Sequence, residues 1–157
     1  MADPHIRKAR PDEAGDIAAL VRASITELCT PDHGGDAKKI GKWLENKTEK
    51  HLQDWLSRPE MALFVMDAGG GLAAAGCHND RGIILINCIA PAQRFRGISS
   101  SMLAYLEEAM RKEGITESRL VSTATARGFY ESRGWQTYGD LIPCMGVAGQ
   151  PMRKRIA

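Results

Sequence analysis

The stretch Ile83-Ile84-Leu85-Ile86-Asn87-Cys88-Ile89-Ala90-Pro91, followed by Arg94-Phe95-Arg96-Gly97-Ile98-Ser99-Ser100-Ser101, decides how this chain folds. Its first half is almost wholly apolar and rich in isoleucine, which reads as a strand buried on both faces. The strand stops at Pro91, passes a basic turn holding one glycine, and runs into an amphipathic helix. A helix that begins at the end of a buried strand presents its free N–H groups and positive dipole end there. Such a place suits phosphate groups. The segment therefore points to a ligand that carries phosphates.

Outward from this stretch, strand and helix signals alternate. The following helix runs from about Ser99, with Met102, Leu103, Leu106 and Met110 inward and Gly114 past its end. Upstream, Met61–Asp67 and Leu72–His78 read as strands joined by a glycine cluster, and Asn79-Asp80-Arg81-Gly82 turns into the Ile-rich strand. Before them come a short strand over Ile6–Ala9 and a helix opened by Pro11 that runs to about Cys29, carrying Ile17, Leu20, Val21 and Leu28 on one face. Thr30–Gly35 breaks it, and two further amphipathic helices follow, one with Ile40, Trp43 and Leu44, the other capped by Thr48 and ending before Pro59. Downstream, Leu120–Thr123 reads as a strand and Thr125–Arg133 as a helix stopped by Gly134, with closing strands over Trp135–Tyr138 and Met152–Ile156. The order is strand, helices, antiparallel meander, then helix, strand, helix, strand: a mixed sheet in an α/β fold.

Composition bounds the function. The 157 residues make one domain, 1–157, large enough for a single core. Lys and Arg exceed Asp and Glu by 21 to 19, a net +2 that argues against a nucleic-acid partner. Cys29, Cys77, Cys88 and Cys144 form no C-x-x-C pair and no metal-ligand spacing, so they read as reduced thiols and no metal is implied. No apolar run approaches the roughly 20 residues that span a bilayer. Met1–His5 has no apolar leader core, so the expected location is the cytoplasm, away from membranes.

Four elements in order carry a family resemblance. Arg94-x-x-Gly97-x-Ser99 resembles the acyl-CoA signature Q/R-x-x-G-x-G/A of the GCN5-related N-acetyltransferases. Ile89-x-Pro91 closes the strand before it, Ala126-x-x-Phe129-Tyr130-Glu131 follows, and Gly134-Trp135 leads into the next strand. The opening Ile6-Arg7 with its acidic helix start is similar to the family's beginning. The resemblance implies an acyl-CoA N-acyltransferase fold: an α/β domain whose mixed, mostly antiparallel central sheet is splayed after the fourth strand and flanked by helices. It implies an enzyme that moves acetyl from acetyl-CoA directly to a primary amine of a small molecule or peptide, in a ternary complex. It is compatible with a homodimer.

The resemblance also assigns roles. Backbone amides of Phe95, Arg96, Gly97, Ile98, Ser99 and Ser100 would hold the pyrophosphate, with Arg94 and Arg96 adding positive charge. Ser99 stands where the family has Gly or Ala, and its hydroxyl is expected to cap the helix. Phe95 replaces a smaller residue, which is harmless if its ring points outward. The main chain at Cys88 and Ile89 would meet the pantetheine arm, and the Cys88 side chain reads as a small buried hydrophobe, with no basic neighbour in sequence to make it a nucleophile. Thr123 stands where the family often has Asn, so its hydroxyl would bond the arm less completely than an amide.

Tyr130 matches the tyrosine that protonates the departing thiolate. It can also be read as a core aromatic beside Phe129. For a base, Glu27 near the end of the first helix is the candidate, and Asn87, the polar side chain within the Ile-rich strand, could hold a water. Glu27 reads equally as an exposed helix acid, Asp32 and His33 as turn residues, and Trp43 and Trp55 as either core or acceptor-pocket walls. Two alternatives stand beside the enzyme: a non-catalytic acyl-CoA-binding sensor module, and an acetyltransferase toxin acting on aminoacyl-tRNA, which would want a denser basic patch. A plain nucleotide-binding protein lacks the G-K-[ST] of an NTPase.

Overall fold

The computed structural model describes residues 5–157; Met1–Pro4, read above for a leader, lie outside them. In chain order the elements are β1 (Ile6–Lys8), α1 (Ala14–Leu28, entered through a 3-10 turn at Pro11–Glu13), α2 (Thr30–His33), α3 (Ala37–Leu44) and α4 (Glu49–Ser57). Then come β2 (Met61–Ala68), β3 (Gly71–Asn79), β4 (Ile84–Ile89), α5 (Ile98–Lys112), β5 (Glu117–Ser122), α6 (Ala124–Glu131), β6 (Gln136–Thr137), β7 (Ile142–Cys144) and β8 (Val147–Arg155).

Each strand is long enough to pair but too short to bury itself, so the elements assemble in layers. One antiparallel sheet has the order β1-β2-β3-β4, and a second has β5-β8-β6 with β7 also on β8. The two meet at one corner: Ile83 forms a parallel bridge with Arg119. There the Arg119 N–H donates to Gly82 O at 3.0 Å, and Ser118 Oγ donates to the same oxygen at 2.7 Å. Gly82 has φ +79°, and a Cβ on it would fall 2.8 Å from Glu117 O. Only glycine lets the backbones approach this closely. Beyond the corner β4 and β5 part, which is the expected splay after the fourth strand.

Two cores hold the layers. On one face α1 and α4 bury Ile17, Val21, Ile25 and Leu52 against Leu63, Val65, Cys77 and Ile86. On the other, α5 lays Met102, Leu103, Leu106 and Met110 against Met66, Ala74, Leu120, Trp135 and Met152. The inward positions of α5 are those its periodicity predicts, each contributing about 1.5–3 kcal/mol on burial.

The structure corrects several expectations. β4 is not buried on both faces, because Leu85 is 40% exposed. In the β3–β4 register His78 faces Ile84 and Cys77 faces Ile86, so Leu85 is an inserted bulge residue. The bulge sends Ile84 to the α5 core and Ile86 to the α1 core. Ser99 does not cap α5; Gly97, at φ +74°, is the N-cap and Ser99 sits inside the first turn. β5 ends at Ser122, and Thr123 instead caps α6 by accepting from Ala126 N–H at 3.1 Å. The Thr30–Gly35 break contains a helical turn, and the last strand starts at Val147, with β7 unforeseen before it.

Candidate active site

The gap between β4 and β5 opens into a cavity of about 230 Å³. Its walls include Val21, Ser24, Ile25 and Cys29 of the α1 end; Ile84–Cys88 of β4; Leu120–Thr123; Ala126 and Tyr130 of α6; and Cys144–Val147 of the last hairpin. The edge of β4 that faces β5 has no ladder partner past the corner bridge, so backbone groups around Cys88 and Ile89 are free to bond something lying in the gap.

At one end of this gap lies the turn into α5. Gly97 opens the helix with no side chain over its cap, and the first intrahelical bond is Ser101 N–H to Gly97 O at 3.1 Å. The amides of Ile98, Ser99 and Ser100 precede that bond and are the first-turn donors an anion can use. Phe95 has φ +66° and is 93% exposed, so its ring does point away from the fold. Arg94 lies over that ring at 5.2 Å, and Arg96 donates to Gln93 Oε1 at 3.4 Å; both arginines are exposed beside the loop.

A third arginine, unforeseen from the sequence, reaches the same turn. Arg133 stacks on Phe129 at 4.0 Å, donates to Phe129 O at 3.1 Å, and binds Ser100 Oγ through both Nε (3.0 Å) and Nη2. It ties the end of α6 to the first turn of α5. Its i,i+4 spacing from Phe129 was the available signal.

Tyr130, on the cavity wall, is 7% exposed and packed edge-on against Phe129 and Trp135. Asn87 Nδ2 donates to its hydroxyl at 3.3 Å, which leaves the phenol hydrogen free to be given away. Burial pushes the phenol up to about 12. Asn87 Oδ1 is buried with no partner among the described residues. Thus Asn87 is committed to Tyr130 by its N–H, and its oxygen is left for a donor in the gap. The bulge at Leu85 is what sets Asn87 on the Tyr130 side.

Two thiols of this cavity are disfavoured as thiolates. Burial pushes Cys29 up to about 12 and raises Cys88, whose thiol is also held by Ser24. Cys88 is half-buried, with its side chain against the α1 core. All four cysteines are free, and among the described residues no three His, Cys, Asp or Glu side chains gather where a metal could sit.

The base expectation fails for Glu27, which is exposed at the end of α1 and is not among the cavity walls. His33 is 1% exposed and spent: Nε2 bonds Ile25 O and Nδ1 accepts from Gly35 N–H, both at 3.0 Å. Asp32 does more than turn the chain. It accepts from Thr125 N–H at 3.3 Å and from Thr125 Oγ1, adding a carboxylate to the N-terminus of α6. Trp43 is both core and cavity wall; Trp55 is core. Two polar walls escaped the sequence reading, Ser24 and Lys47, because nothing in their local pattern marks them as inward.

A family model described as an acetyltransferase (GNAT) domain matches residues 29–156. The chain belongs to this family. It is an N-acetyltransferase by that membership, and solved GNAT structures share its fold. A GCN5-related N-acetyltransferase from Rhodopseudomonas palustris, 19% identical, matches with a TM-score of 0.87 over 99% of this chain and 97% of that one. The PaiA N-acetyltransferase of Thermoplasma acidophilum, solved with coenzyme A, is 19% identical with a TM-score of 0.78 over 96% and 98%. The ribosomal-protein-S18-alanine N-acetyltransferase of Escherichia coli is 16% identical with a TM-score of 0.72 over 98% and 94%. No curated protein matches the sequence. No helix among the described residues is long and apolar enough to cross a membrane.

Proposed function

We propose that this GNAT protein moves acetyl from acetyl-CoA directly to a primary amine while both are bound. The observation that carries the reading is a set of three features: the first-turn amides of α5, the gap between β4 and β5, and the Asn87–Tyr130 pair on the wall of that gap. A donor with a diphosphate, a long amide-bearing arm and a reactive end suits those features in that order. The coenzyme A bound to the Thermoplasma acidophilum relative supports the same donor here. The acceptor named for the Escherichia coli relative is not carried over, since acceptor walls come from segments that diverge.

Acetyl-CoA supplies an activated thioester; the chain supplies position and a proton. Amides of Ile98–Ser100 and the Arg133-braced Ser100 hold the phosphates. The open edge of β4 at Cys88 and Ile89 aligns the arm, and the Thr123 hydroxyl, which accepts from Ala126, still has its hydrogen to donate. Tyr130 gives its proton to the departing sulfur. In water a phenol near 10 is a poor acid for a thiolate near 8.5. Burial lifts Tyr130 to about 12, and a thiolate expelled into the same apolar gap is likewise poorly solvated, which raises its demand for a proton. Attack is direct, since burial disfavours the thiolates of Cys29 and Cys88.

Thermal unfolding with and without acetyl-CoA tests this. At about a hundredfold excess over its Kd the ligand should add roughly 2.7 kcal/mol. Gly97→Glu, which places a strained residue and a negative charge at the phosphate end, should abolish the shift. A shift with ATP but not acetyl-CoA refutes the donor assignment. A shift without acetyl transfer to any amine favours a sensor.

A further inference from the structure

Lys47 lies in the link between α3 and α4, where charged residues are normally solvated. Here it is 8% exposed and forms part of the cavity wall beside Trp43, Cys88 and Cys144. Its backbone N–H is held by Leu44 O at 3.0 Å, and its ammonium donates to the amide oxygen of Asn46. No carboxylate pairs with it among the described residues, although ten ion pairs form elsewhere. Among the described residues the cavity walls contain no Asp, Glu, Arg or His, so Lys47 is the one charged side chain they include.

A buried cation without a counter-charge is costly, and folding tolerates it where a ligand completes the pair. Burial pushes the Lys47 ammonium below its ordinary range, while the polarisable thiols nearby oppose that only weakly. An anion arriving in the cavity would stabilise its charge and gain a hydrogen bond stronger than a neutral one. A second cation would find an apolar chamber already positive.

We propose that Lys47 anchors a carboxylate on the acceptor, so that the acetylated amine is borne by a small amino acid-like molecule and not by a polyamine or other polycation. This rests on the transferase reading above and extends it to the acceptor class. The anchor also bears on the missing base. By holding the amine among apolar walls, the anchor favours its neutral, nucleophilic form. The unpartnered Asn87 Oδ1, in the same cavity, can accept a hydrogen from that amine.

The test pairs each common α-amino acid with its own carboxamide, plus spermidine, as acceptors for the intact protein with acetyl-CoA, reading N-acetyl product by mass spectrometry. The wild type should prefer the best free acid over its amide by about tenfold to a hundredfold in kcat/KM. Lys47→Met should erase that preference, mainly through KM of the acid, and Lys47→Arg should keep most of it. The wild-type ratio stands even if a variant folds poorly. Preference for the amide or spermidine, or an equal loss on both acceptors in Lys47→Met, overturns the anchor. So does acetyl-CoA binding, seen as a thermal shift, with no transfer to any carboxylate-bearing amine. Absence of the acetyl-CoA shift itself brings down the transferase reading beneath it.

Discussion

Replacing Tyr130 by Phe removes one oxygen from a site whose remaining packing is intact. The ring keeps its contacts with Phe129 at 5.1 Å and Trp135 at 5.8 Å. The hydroxyl has one protein partner, the Asn87 N–H at 3.3 Å, a long bond whose loss should cost less than about 1 kcal/mol of stability. Any large effect on rate is therefore chemical. The phenol, lifted by burial to about 12, stays protonated and able to give its hydrogen to a sulfur expelled beside it.

Tyr130→Phe should lower kcat by about 10²–10⁴, with KM for acetyl-CoA within about threefold of the wild type. The dependence on leaving group supplies the sharper assay. An acetyl thioester of a more acidic aryl thiol needs less protonation, so the variant's deficit should shrink with that donor. Because the phenol titrates at about 12, the wild type should show no alkaline loss of kcat from Tyr130 within the range the protein survives. A variant retaining more than about a tenth of kcat, or a deficit that ignores the leaving group, would refute the role of Tyr130.

Other outcomes follow from particular contacts. Glu13, 5% exposed, takes two 2.8 Å bonds from Arg7 and a third from Arg10 N–H, and Arg7 above all holds it at about 2 instead of 4.5. Its stabilisation, on the order of 3 kcal/mol, is full above about 4.5 and fades as pH falls through about 2, so Glu13→Gln should unfold at lower urea than wild type at neutral pH but match it near pH 2. Arg133→Met removes the brace on Ser100; steady-state kinetics should show KM for acetyl-CoA rising by about tenfold with kcat little changed. An unchanged KM would make Arg133 a fold contact only.

Much of this was legible where local pattern and tertiary role coincide. The α5 periodicity, the glycine hairpin between β2 and β3, the Thr48 cap and the outward ring of Phe95 each follow from a residue and its near neighbours. The failures share one cause, a partner far along the chain. The run of isoleucines gives no hint that Leu85 is extra, because the bulge is defined by its register with Cys77 and His78. Met152 reads as the start of the last strand, yet β8 begins at Val147 and runs through Pro151, whose carbonyl accepts from Tyr138 N–H at 3.0 Å. Lys47 reads as a solvated linker residue; it is buried because the Met145–Val147 segment, about a hundred residues on, shares its cavity. Glu27 offered two readings from its place on α1, and it is exposed, outside the cavity walls.

The divergence of β4 and β5 has a consequence for association. A sheet opened in its middle has four free edges instead of two, and a free edge can recruit another chain's strand. Here the six-residue edges of β4 and β5 turn toward one another behind α1 and α6, while the outer edges are β1, β6 and β7, of three, two and three residues. The long templates are hidden and the visible ones are too short to zip. An extended ligand threaded between β4 and β5 would take the place an intruding strand would want, so the same opening that admits a substrate arm shields the molecule from polymerising through it.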